Sequence, residues 1–291
     1  MPDDIQPHES IFRTTRAFKK AMKQYPHRLN VISEGDSWFG YPRKLSGSAG
    51  NMIDHIQDRF EGHVNLLRLE HSGDEIAQML AGKQRRKLTK LLSHCKENGH
   101  KIHAILFSGG GNDIVGKYDM ERFLKPYTSG MSAEACINDT AFKIKIEQIR
   151  YALKELANIR DQYATETKIF THTYDLPYLT GVGVKLGPIT IIKPWLSPAM
   201  KKRGIPEDDY SLAPQNQFRR EIVQVLFGSL STMLTDLEDQ HPNFFVTDTL
   251  GTLDNINLWR NEIHPDTDGF DLITAKFYAT MKDQIPELPN W

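Results

Sequence analysis

The hydrophobic residues of this chain follow two spacings that alternate from one end to the other. Short apolar runs predict five buried strands: "RLNVISE", "VNLLRLE", "KIHAILFSGG", "TKIFTHTYD" and "NFFVTDT". Between them lie longer segments in which apolar residues recur every three or four positions, which predicts helices. This alternation predicts a single α/β domain over residues 1–291, a three-layer α/β/α sandwich around a five-stranded parallel sheet.

Two segments lie outside this alternation. Residues 9–25 carry apolar positions at helical spacing and stop at Pro26, which predicts a leading helix. Residues 176–214 are rich in proline and glycine, and so long a connection inside a compact domain is typical of a functional loop. We therefore predict a lid-like segment there. The equal alternative is a surface excursion that packs Trp195 for stability.

Composition and charge limit the kinds of binding partner and the cellular location that we expect. The formal net charge is -1, so there is no bulk electrostatic reason to expect nucleic acid or an anionic membrane as a partner. Cys95 and Cys136 are the two cysteines, which predicts reduced thiols. The N-terminal "MPDDIQPHES" lacks the basic and apolar regions of a signal peptide, and no apolar run is long enough to span a bilayer. We therefore predict a cytoplasmic location and make no prediction of oligomeric state.

Chemically active residues follow the ends of the predicted strands. Ser37 follows the first strand in "GDS", Gly73 follows the second in "EHSGDE", and Asn112 follows the third in "GGND". His264 comes after the fifth strand, in "NEIHPD". Ligands of an open parallel sheet bind outside the carboxyl ends of its strands, so these residues are expected along one rim. Each has an ordinary structural explanation alone, but together they supply a nucleophile, a base and oxyanion donors.

These blocks resemble those of the SGNH (GDSL) esterase and lipase superfamily. The resemblance rests on "GDS", a glycine after the second strand, "GGND" and a late "HP", in the family's order over residues 35–265. It implies a flavodoxin-like fold and hydrolysis of a carboxylic ester or thioester without a metal or cofactor. The expected substrate is a small-molecule, lipid or sugar ester. The G-x-S-x-G motif of α/β-hydrolases is missing, which disfavours that other fold.

Carried over to this chain, the resemblance makes Ser37 the nucleophile and His264 the general base. The oxyanion hole would be formed by the backbone N–H groups of Ser37 and Gly73 and by the side-chain amide of Asn112. Losing one such donor typically raises a reaction barrier by about 3 kcal/mol. Two residues in the same motifs are expected to support the site: Asp36 and Asp113.

One position departs from the family pattern. The family usually has Asp three residues before the histidine, and here that residue is Asn261. Its amide oxygen can accept a hydrogen bond from the imidazole but brings no negative charge. Three explanations stay open. In the first, Asn261 orients His264 while a carboxylate elsewhere supplies the field. In the second, a backbone carbonyl orients His264 and leaves a Ser-His dyad. In the third, the protein is a slow or non-hydrolytic relative. The candidate carboxylates are those of Asp254, Glu262 and Asp266.

Aromatic residues near the predicted site are candidates for contacting the substrate: Trp38, Tyr178 and Trp195. Nucleotide binding at residues 111–117 is the alternative from a different class, because "GNDIVGKY" nearly matches the phosphate-binding loop G-x-x-x-x-G-K-[ST]. The match fails at Tyr118, and Asp113 would place a negative charge among phosphates. No cluster of histidines and cysteines has the spacing of a zinc site, so we predict no metal.

Overall fold

A computed structural model describes residues 5–43, 47–186, 189–209 and 217–291. Its strands are β1 (Ile11–Phe12), β2 (Leu29–Gly35), β3 (Val64–Arg68), β4 (Ala104–Ser108), β5 (Lys168–His172), β6 (Val184–Leu186), β7 (Ile189–Ile192) and β8 (Phe244–Thr247). Its helices are α1 (Thr15–Gln24), α2 (Ser37–Gly40), α3 (Met52–Gln57), α4 (Ile76–Met79), α5 (Gly82–Glu97), α6 (Gly111–Val115), α7 (Lys117–Phe123), α8 (Asp139–Tyr163), α9 (Ser197–Lys202), α10 (Phe218–Gln240) and α11 (Thr267–Gln284).

In the part of the chain that the structure describes, the main sheet has six parallel strands in the order β1-β3-β2-β4-β5-β8. Strands β3 and β4 are buried along their whole length, as continuous apolar runs in a parallel sheet require. Helices α3 and α11 contact each other on one side, and α8 contacts α5 and α10 on the other. The predicted parallel α/β sandwich is therefore confirmed.

The sixth strand lies where the sequence predicted the start of the leading helix. Ile11 and Phe12 pair with β3 at the edge of the sheet. Helix α1 begins only at Thr15, because the side chain of Thr14 accepts a hydrogen bond from the Ala17 N–H and caps the helix. A strand of two residues is too short to show an alternating pattern in the sequence.

The predicted lid-like segment contains regular structure. Strands β6 and β7 form a separate antiparallel hairpin, and α9 follows it. Residues 187–188 and 210–214 of that segment lie outside the described residues. No described helix combines the length and apolarity needed to cross a membrane.

Candidate active site

The turn that carries Ser37 is built at the carboxyl end of the central strand β2. Gly35 ends the strand, and a Cβ added there would lie 2.7 Å from the carbonyl oxygen of Ser108, so only glycine fits beside β4. The Asp36 carboxylate then accepts a hydrogen bond of 2.9 Å from the Trp38 N–H and caps α2. Ser37 is the first residue of that helix and is 6% exposed. The turn therefore fixes where the hydroxyl lies.

Ser37 and His264 are brought together as the sequence predicts. The Oγ of Ser37 lies 2.8 Å from the Nε2 of His264, although the two residues are 227 positions apart in the chain. The Nδ1 of His264 lies 3.0 Å from the Oδ1 of Asn261. Asn261 therefore occupies the position at which the family resemblance expects the aspartate.

Backbone contacts determine the tautomer of this imidazole. The Oδ1 of Asn261 also accepts hydrogen bonds from the N–H groups of Ile263, at 3.1 Å, and His264, at 3.0 Å. These donors fix the orientation of the amide, so the atom facing Nδ1 is an acceptor and Nδ1 carries the proton. The Nε2 atom of the neutral ring is then free to accept the Ser37 proton. Asn261 thus holds the histidine in the form that a general base requires.

No carboxylate in the described part of the chain hydrogen bonds to this imidazole. Glu262 instead accepts hydrogen bonds from the backbone N–H groups of Trp195, Leu196 and Ser197, at 2.6–2.9 Å. Asp266 caps α11, and Asp254 is exposed. Burial, together with the positive charge of Arg260, lowers the pKa of His264 to about 3.

Two aromatic rings enclose the imidazole. The ring centroid of Tyr41 lies 4.2 Å from that of His264, and the ring of Trp195 meets the imidazole edge-on at 5.6 Å. The hydroxyl of Tyr41 lies 3.4 Å from the Nδ2 of Asn261. These contacts explain why His264 is only 3% exposed.

The loops after β3 and β4 meet beside the turn that carries Ser37. The Nδ2 of Asn112 donates a hydrogen bond of 2.9 Å to the carbonyl oxygen of Asp74, and the Asp113 carboxylate accepts one of 2.9 Å from the Ile76 N–H. The Ser72 hydroxyl donates one of 2.7 Å to the Gly40 carbonyl oxygen. One hydrogen of the Asn112 amide therefore stays available for a ligand.

Gly73 lies in the same loop, directly before Asp74. Its φ of 90° is in the region that favours glycine, while a Cβ added there would meet nothing within 4 Å. The requirement for glycine at this position is therefore conformational.

A small cavity of about 20 Å³ adjoins Ser37. Polar groups on its wall include those of Ser37 and Asn112, and Trp38 and Trp259 contribute aromatic surface. This volume holds one water-sized group. The site is therefore tightly enclosed on the side of Ser37.

The three aromatic residues predicted to contact substrate have different positions. Trp38 lines the cavity, and its indole N–H donates a hydrogen bond of 3.2 Å to the carbonyl oxygen of Ile263. Trp195 covers His264, as described above. Tyr178 does not line the cavity: it is buried, with the guanidinium carbon of Arg220 4.1 Å from its ring centroid. Its predicted contact with substrate is therefore not supported by its position.

A second serine–histidine pair lies beneath the first. The Nε2 of His172 is 3.0 Å from the Oγ of Ser108, which donates a hydrogen bond of 2.9 Å to the Asp36 carboxylate. The Tyr174 hydroxyl donates one of 2.6 Å to the other oxygen of that carboxylate. Burial raises the pKa of Asp36 to about 6 and lowers that of His172 to about 3. The sequence analysis missed this group, although "THTYD" also places polar residues at a strand end.

The alternative of nucleotide binding at residues 111–117 is not supported by the local backbone. Residues 111–115 form helix α6, whereas a phosphate-binding loop requires non-helical backbone between its strand and its helix. The described residues contain no cluster of three or more histidine, cysteine, aspartate or glutamate side chains suited to a metal ion.

Comparison with known proteins places the fold. No protein-family model and no curated protein sequence matches this chain. Among solved structures, an extracellular lipase from Streptomyces rimosus is 14% identical with a TM-score of 0.51, covering 88% of this chain and 99% of its own. The lipase Lip_vut3 from a goat rumen metagenome is 16% identical with a TM-score of 0.53, covering 87% and 97%. A phospholipase A1 from Streptomyces albidoflavus NA297 is 14% identical with a TM-score of 0.53, covering 87% and 99%. The resemblance to SGNH hydrolases is confirmed at the level of the fold.

Proposed function

We propose that this chain is an SGNH-type serine hydrolase that cleaves a carboxylic ester through an acyl-enzyme on Ser37. The observation that carries the proposal is the hydrogen-bonded series from Ser37 Oγ through His264 to Asn261 Oδ1, with distances of 2.8 and 3.0 Å. A nucleophile, a base and a group that orients the base are the parts that covalent acyl transfer needs. The similarity in fold to two lipases and a phospholipase A1 favours an ester as the substrate.

The proposed reaction has two halves. The Ser37 oxygen attacks the ester carbonyl while its proton moves to Nε2 of His264, giving a tetrahedral intermediate. The histidine then protonates the leaving alkoxide, and the carbon–oxygen bond to the alcohol breaks. In the second half water attacks the acyl-enzyme, His264 takes the water proton, and the acid leaves as Ser37 regains its hydrogen. A thioester would follow the same steps with a thiolate as the leaving group.

The oxyanion that forms at the carbonyl would be stabilised by fixed donors. The second hydrogen of the Asn112 amide and the backbone N–H groups of Ser37 and Gly73 are assigned this role. In the described part of the chain neither backbone N–H donates a hydrogen bond to another group. Preorganised donors of this kind commonly contribute a factor of about 10²–10³ to kcat.

The presence of Asn261 in place of an aspartate should lower the rate of ester hydrolysis. It provides the correct tautomer but no negative charge, so the imidazolium formed during attack is stabilised less than beside a carboxylate. In another serine hydrolase, an Asp→Asn change that also gave the wrong tautomer lowered kcat by about 10⁴-fold. Because the tautomer is correct here, we expect a working enzyme that is slower than one with a complete triad.

Active-site labelling tests this function. A fluorophosphonate probe should modify Ser37 in the wild type, because only an activated and accessible serine reacts, and mass spectrometry should locate the adduct on the peptide that contains it. The Ser37→Ala variant should lose both the label and the hydrolysis of 4-nitrophenyl acetate. Ser108→Ala is the matched control, because Ser108 also contacts a histidine, and it should keep labelling at Ser37.

Two results would contradict the proposal. One is a folded wild-type protein that neither takes up the probe nor hydrolyses esters, which would favour a non-hydrolytic binding protein. The other is a Ser37→Ala variant with unchanged turnover.

We also assign the described part of residues 176–209 the role of a lid. Trp195 covers the imidazole of His264, and the Glu262 carboxylate holds the backbone of Trp195, Leu196 and Ser197 by hydrogen bonds of 2.6–2.9 Å. Glu262 is itself fully buried, two residues before His264. The lid is thus attached to the loop that carries the base.

Glu262→Ala tests the lid, because it removes the acceptor for these backbone N–H groups and should release Trp195 from the site. We expect KM for esters to change more than the rate of labelling of Ser37 by a small fluorophosphonate. The change should differ between short and long acyl chains. Equal effects on esters of all chain lengths would remove the lid from substrate selection.

A further inference from the structure

The charge near the proposed base His264 is positive, whereas in a complete triad the aspartate makes it negative. The charged group that acts on His264 is the guanidinium of Arg260, which lowers the pKa of the imidazole further than burial alone. The neutral Asn261 provides no counterbalance, and in the described part of the chain no carboxylate contacts the ring. An imidazolium formed in this surrounding would face an uncompensated positive charge.

The side chain of Arg260 has unused hydrogen-bonding capacity, a feature that it shares with the half-buried Arg59. The Arg260 side chain makes no hydrogen bond or ion pair with any described residue, and its Nη2 is buried without a partner. Arg68 bonds two carboxylates and the Phe39 carbonyl oxygen, and Arg219 bonds two carbonyl oxygens. A buried charged donor left without a partner is costly, so an acceptor at this position would be favourable.

The guanidinium lies at the rim of the proposed site. Its central carbon is 5.1 Å from the centroid of the Tyr41 ring, and that ring is 4.2 Å from the imidazole of His264. The backbone N–H of Arg260 donates a hydrogen bond of 2.9 Å to the His264 carbonyl oxygen, so both residues belong to one tight loop. Arg260 and Tyr41 are both half-buried, so part of the arginine side chain is accessible to solvent although its Nη2 is buried.

We propose that the ester substrate carries a carboxylate or phosphate oxyanion that binds the guanidinium of Arg260. This inference rests on the proposed ester hydrolysis at Ser37 and adds the chemical class of the substrate. Guanidinium groups bind both oxyanions through paired N–H donors. The bound anion has a second effect: it offsets the Arg260 charge while His264 becomes an imidazolium. The substrate thereby supplies the negative charge that Asn261 lacks.

Matched esters test this recognition. The probes are 4-(carboxymethyl)phenyl acetate, its neutral isostere 4-(carbamoylmethyl)phenyl acetate, and 4-(phosphonomethyl)phenyl acetate, all followed by phenol release. We expect the wild type to prefer an anionic ester over the amide by about tenfold or more in kcat/KM, the size of one hydrogen bond to a charged group. Comparing the two anionic esters identifies which oxyanion the site prefers. The preference should fall as sodium chloride is added.

Variants of Arg260 separate charge from shape. Arg260→Gln should remove most of the preference and raise the rate on the neutral ester by about two- to fivefold, because a positive charge near the imidazolium is gone. Arg260→Lys should keep part of the preference. Arg43→Gln is the matched control, since Arg43 is an exposed arginine near Tyr41 whose ion pairs are with Asp54 and Asp58, and it should keep the wild-type ratio.

The outcomes distinguish this inference from the proposed function. Equal rates on anionic and neutral esters, or a preference unchanged in Arg260→Gln, would overturn the inference while leaving ester hydrolysis intact. Failure of the wild type to hydrolyse any ester or to label at Ser37 would overturn the proposed function instead. Calorimetric binding of the carboxylate and carboxamide esters to Ser37→Ala gives a measurement without turnover, and equal affinities there would also count against the inference.

Discussion

Two serine–histidine pairs lie within one protein, and they differ in what they can do. In the first, Ser37 is 2.8 Å from Nε2 of His264, and in the second, Ser108 is 3.0 Å from Nε2 of His172. Both imidazoles are buried among aromatic rings, and burial lowers the pKa of each to about 3. Neither the serine–histidine distance nor the histidine pKa tells the two pairs apart.

The group facing Nδ1 separates them. For His264 that group is the Asn261 oxygen, an acceptor, so Nδ1 carries the proton and Nε2 can take one from Ser37. For His172 it is the backbone N–H of Tyr174, a donor at 3.2 Å, so Nδ1 is unprotonated and Nε2 carries the hydrogen. His172 therefore donates to Ser108, and Ser108 donates to Asp36. The second pair is a structural relay with no free base.

The relay stabilises the backbone that carries Ser37. Asp36, which receives its hydrogen bonds, also caps α2 and thereby fixes the backbone of Ser37. Because the relay binds Asp36 and not Ser37 itself, loss of the relay should lower stability more than activity. Changes to the Ser37–His264 pair should therefore affect activity, whereas changes to the Ser108–His172 pair should affect stability.

Replacing the two histidines gives the largest expected contrast. His264→Ala should lower kcat/KM by about 10⁴-fold or more, because general-base removal leaves only binding and oxyanion stabilisation. His172→Phe should keep kcat/KM within about tenfold of the wild type but lower the free energy of unfolding by about 1–3 kcal/mol, since Ser108 loses a buried partner. Ester hydrolysis and urea unfolding measure the two effects.

The comparison fails if a folded His172→Phe protein is as inactive as His264→Ala. If His172→Phe does not fold, His172→Gln retains an amide donor for Ser108 and serves in its place.

The sequence predicted the meeting of Ser37, Asn112 and His264 because all three follow strands whose carboxyl ends share one edge of a parallel sheet. That edge is determined by the fold class, and the fold class by the periodicity of apolar residues. The same reasoning predicted each of the five long strands. It missed β1, because two residues carry no periodicity, and a pairing at the sheet edge decides their structure.

The relay was not predicted because hydrogen-bond direction inside a core is not encoded in spacing. His172 alternates with apolar neighbours as any strand residue does, and only the structure shows a donor facing its Nδ1. The contacts that residues 176–209 make could not be predicted from the sequence either. Trp195 reaches His264 whereas Tyr178 packs against Arg220, and an irregular segment gives no pattern that separates these outcomes.

Removing the acceptor at Nδ1 should make the first pair lose its defined tautomer. Asn261→Ala leaves the imidazole free to carry its proton on either nitrogen, and we expect kcat/KM to fall by about 10²- to 10⁴-fold. The exposed Asn257 lies in the same loop region, so Asn257→Ala is the matched control and should keep wild-type activity. Wild-type activity in a folded Asn261→Ala protein would show that the backbone alone orients His264.

Placing a negative charge at position 261 should raise activity. Asn261→Asp keeps an acceptor for the N–H groups of Ile263 and His264 and adds a negative charge beside the imidazole. We expect kcat/KM for a neutral ester to rise about tenfold, less than the 10⁴-fold associated with a wrong tautomer, because the tautomer is already correct.

The same variant should change the pH profile. The carboxylate raises the pKa of His264 from about 3, so the loss of activity in acid should begin at a higher pH than in the wild type. Measurement of kcat/KM between about pH 4 and 8 tests this for both proteins, within the range where each stays folded. An unchanged or lower rate would mean that the buried carboxylate costs more than it contributes.

A separate effect, on stability and its dependence on pH, is expected from Tyr174 in the relay. The folded pKa of Asp36 is about 6 against 3.8 as the ordinary value, so the stability that its protonated form contributes is present below about pH 4 and is lost as pH rises through 6. Above pH 6 the ionised carboxylate depends on the hydroxyl of Tyr174, 2.6 Å away. Tyr174→Phe should therefore lower the free energy of unfolding by about 1.5–3 kcal/mol at pH 7.5 and by less at pH 5. Tyr151→Phe, at an exposed tyrosine, is the control and should have no effect at either pH. Urea unfolding at the two pH values measures the difference, and an equal loss at both would mean that Asp36 keeps one charge state throughout.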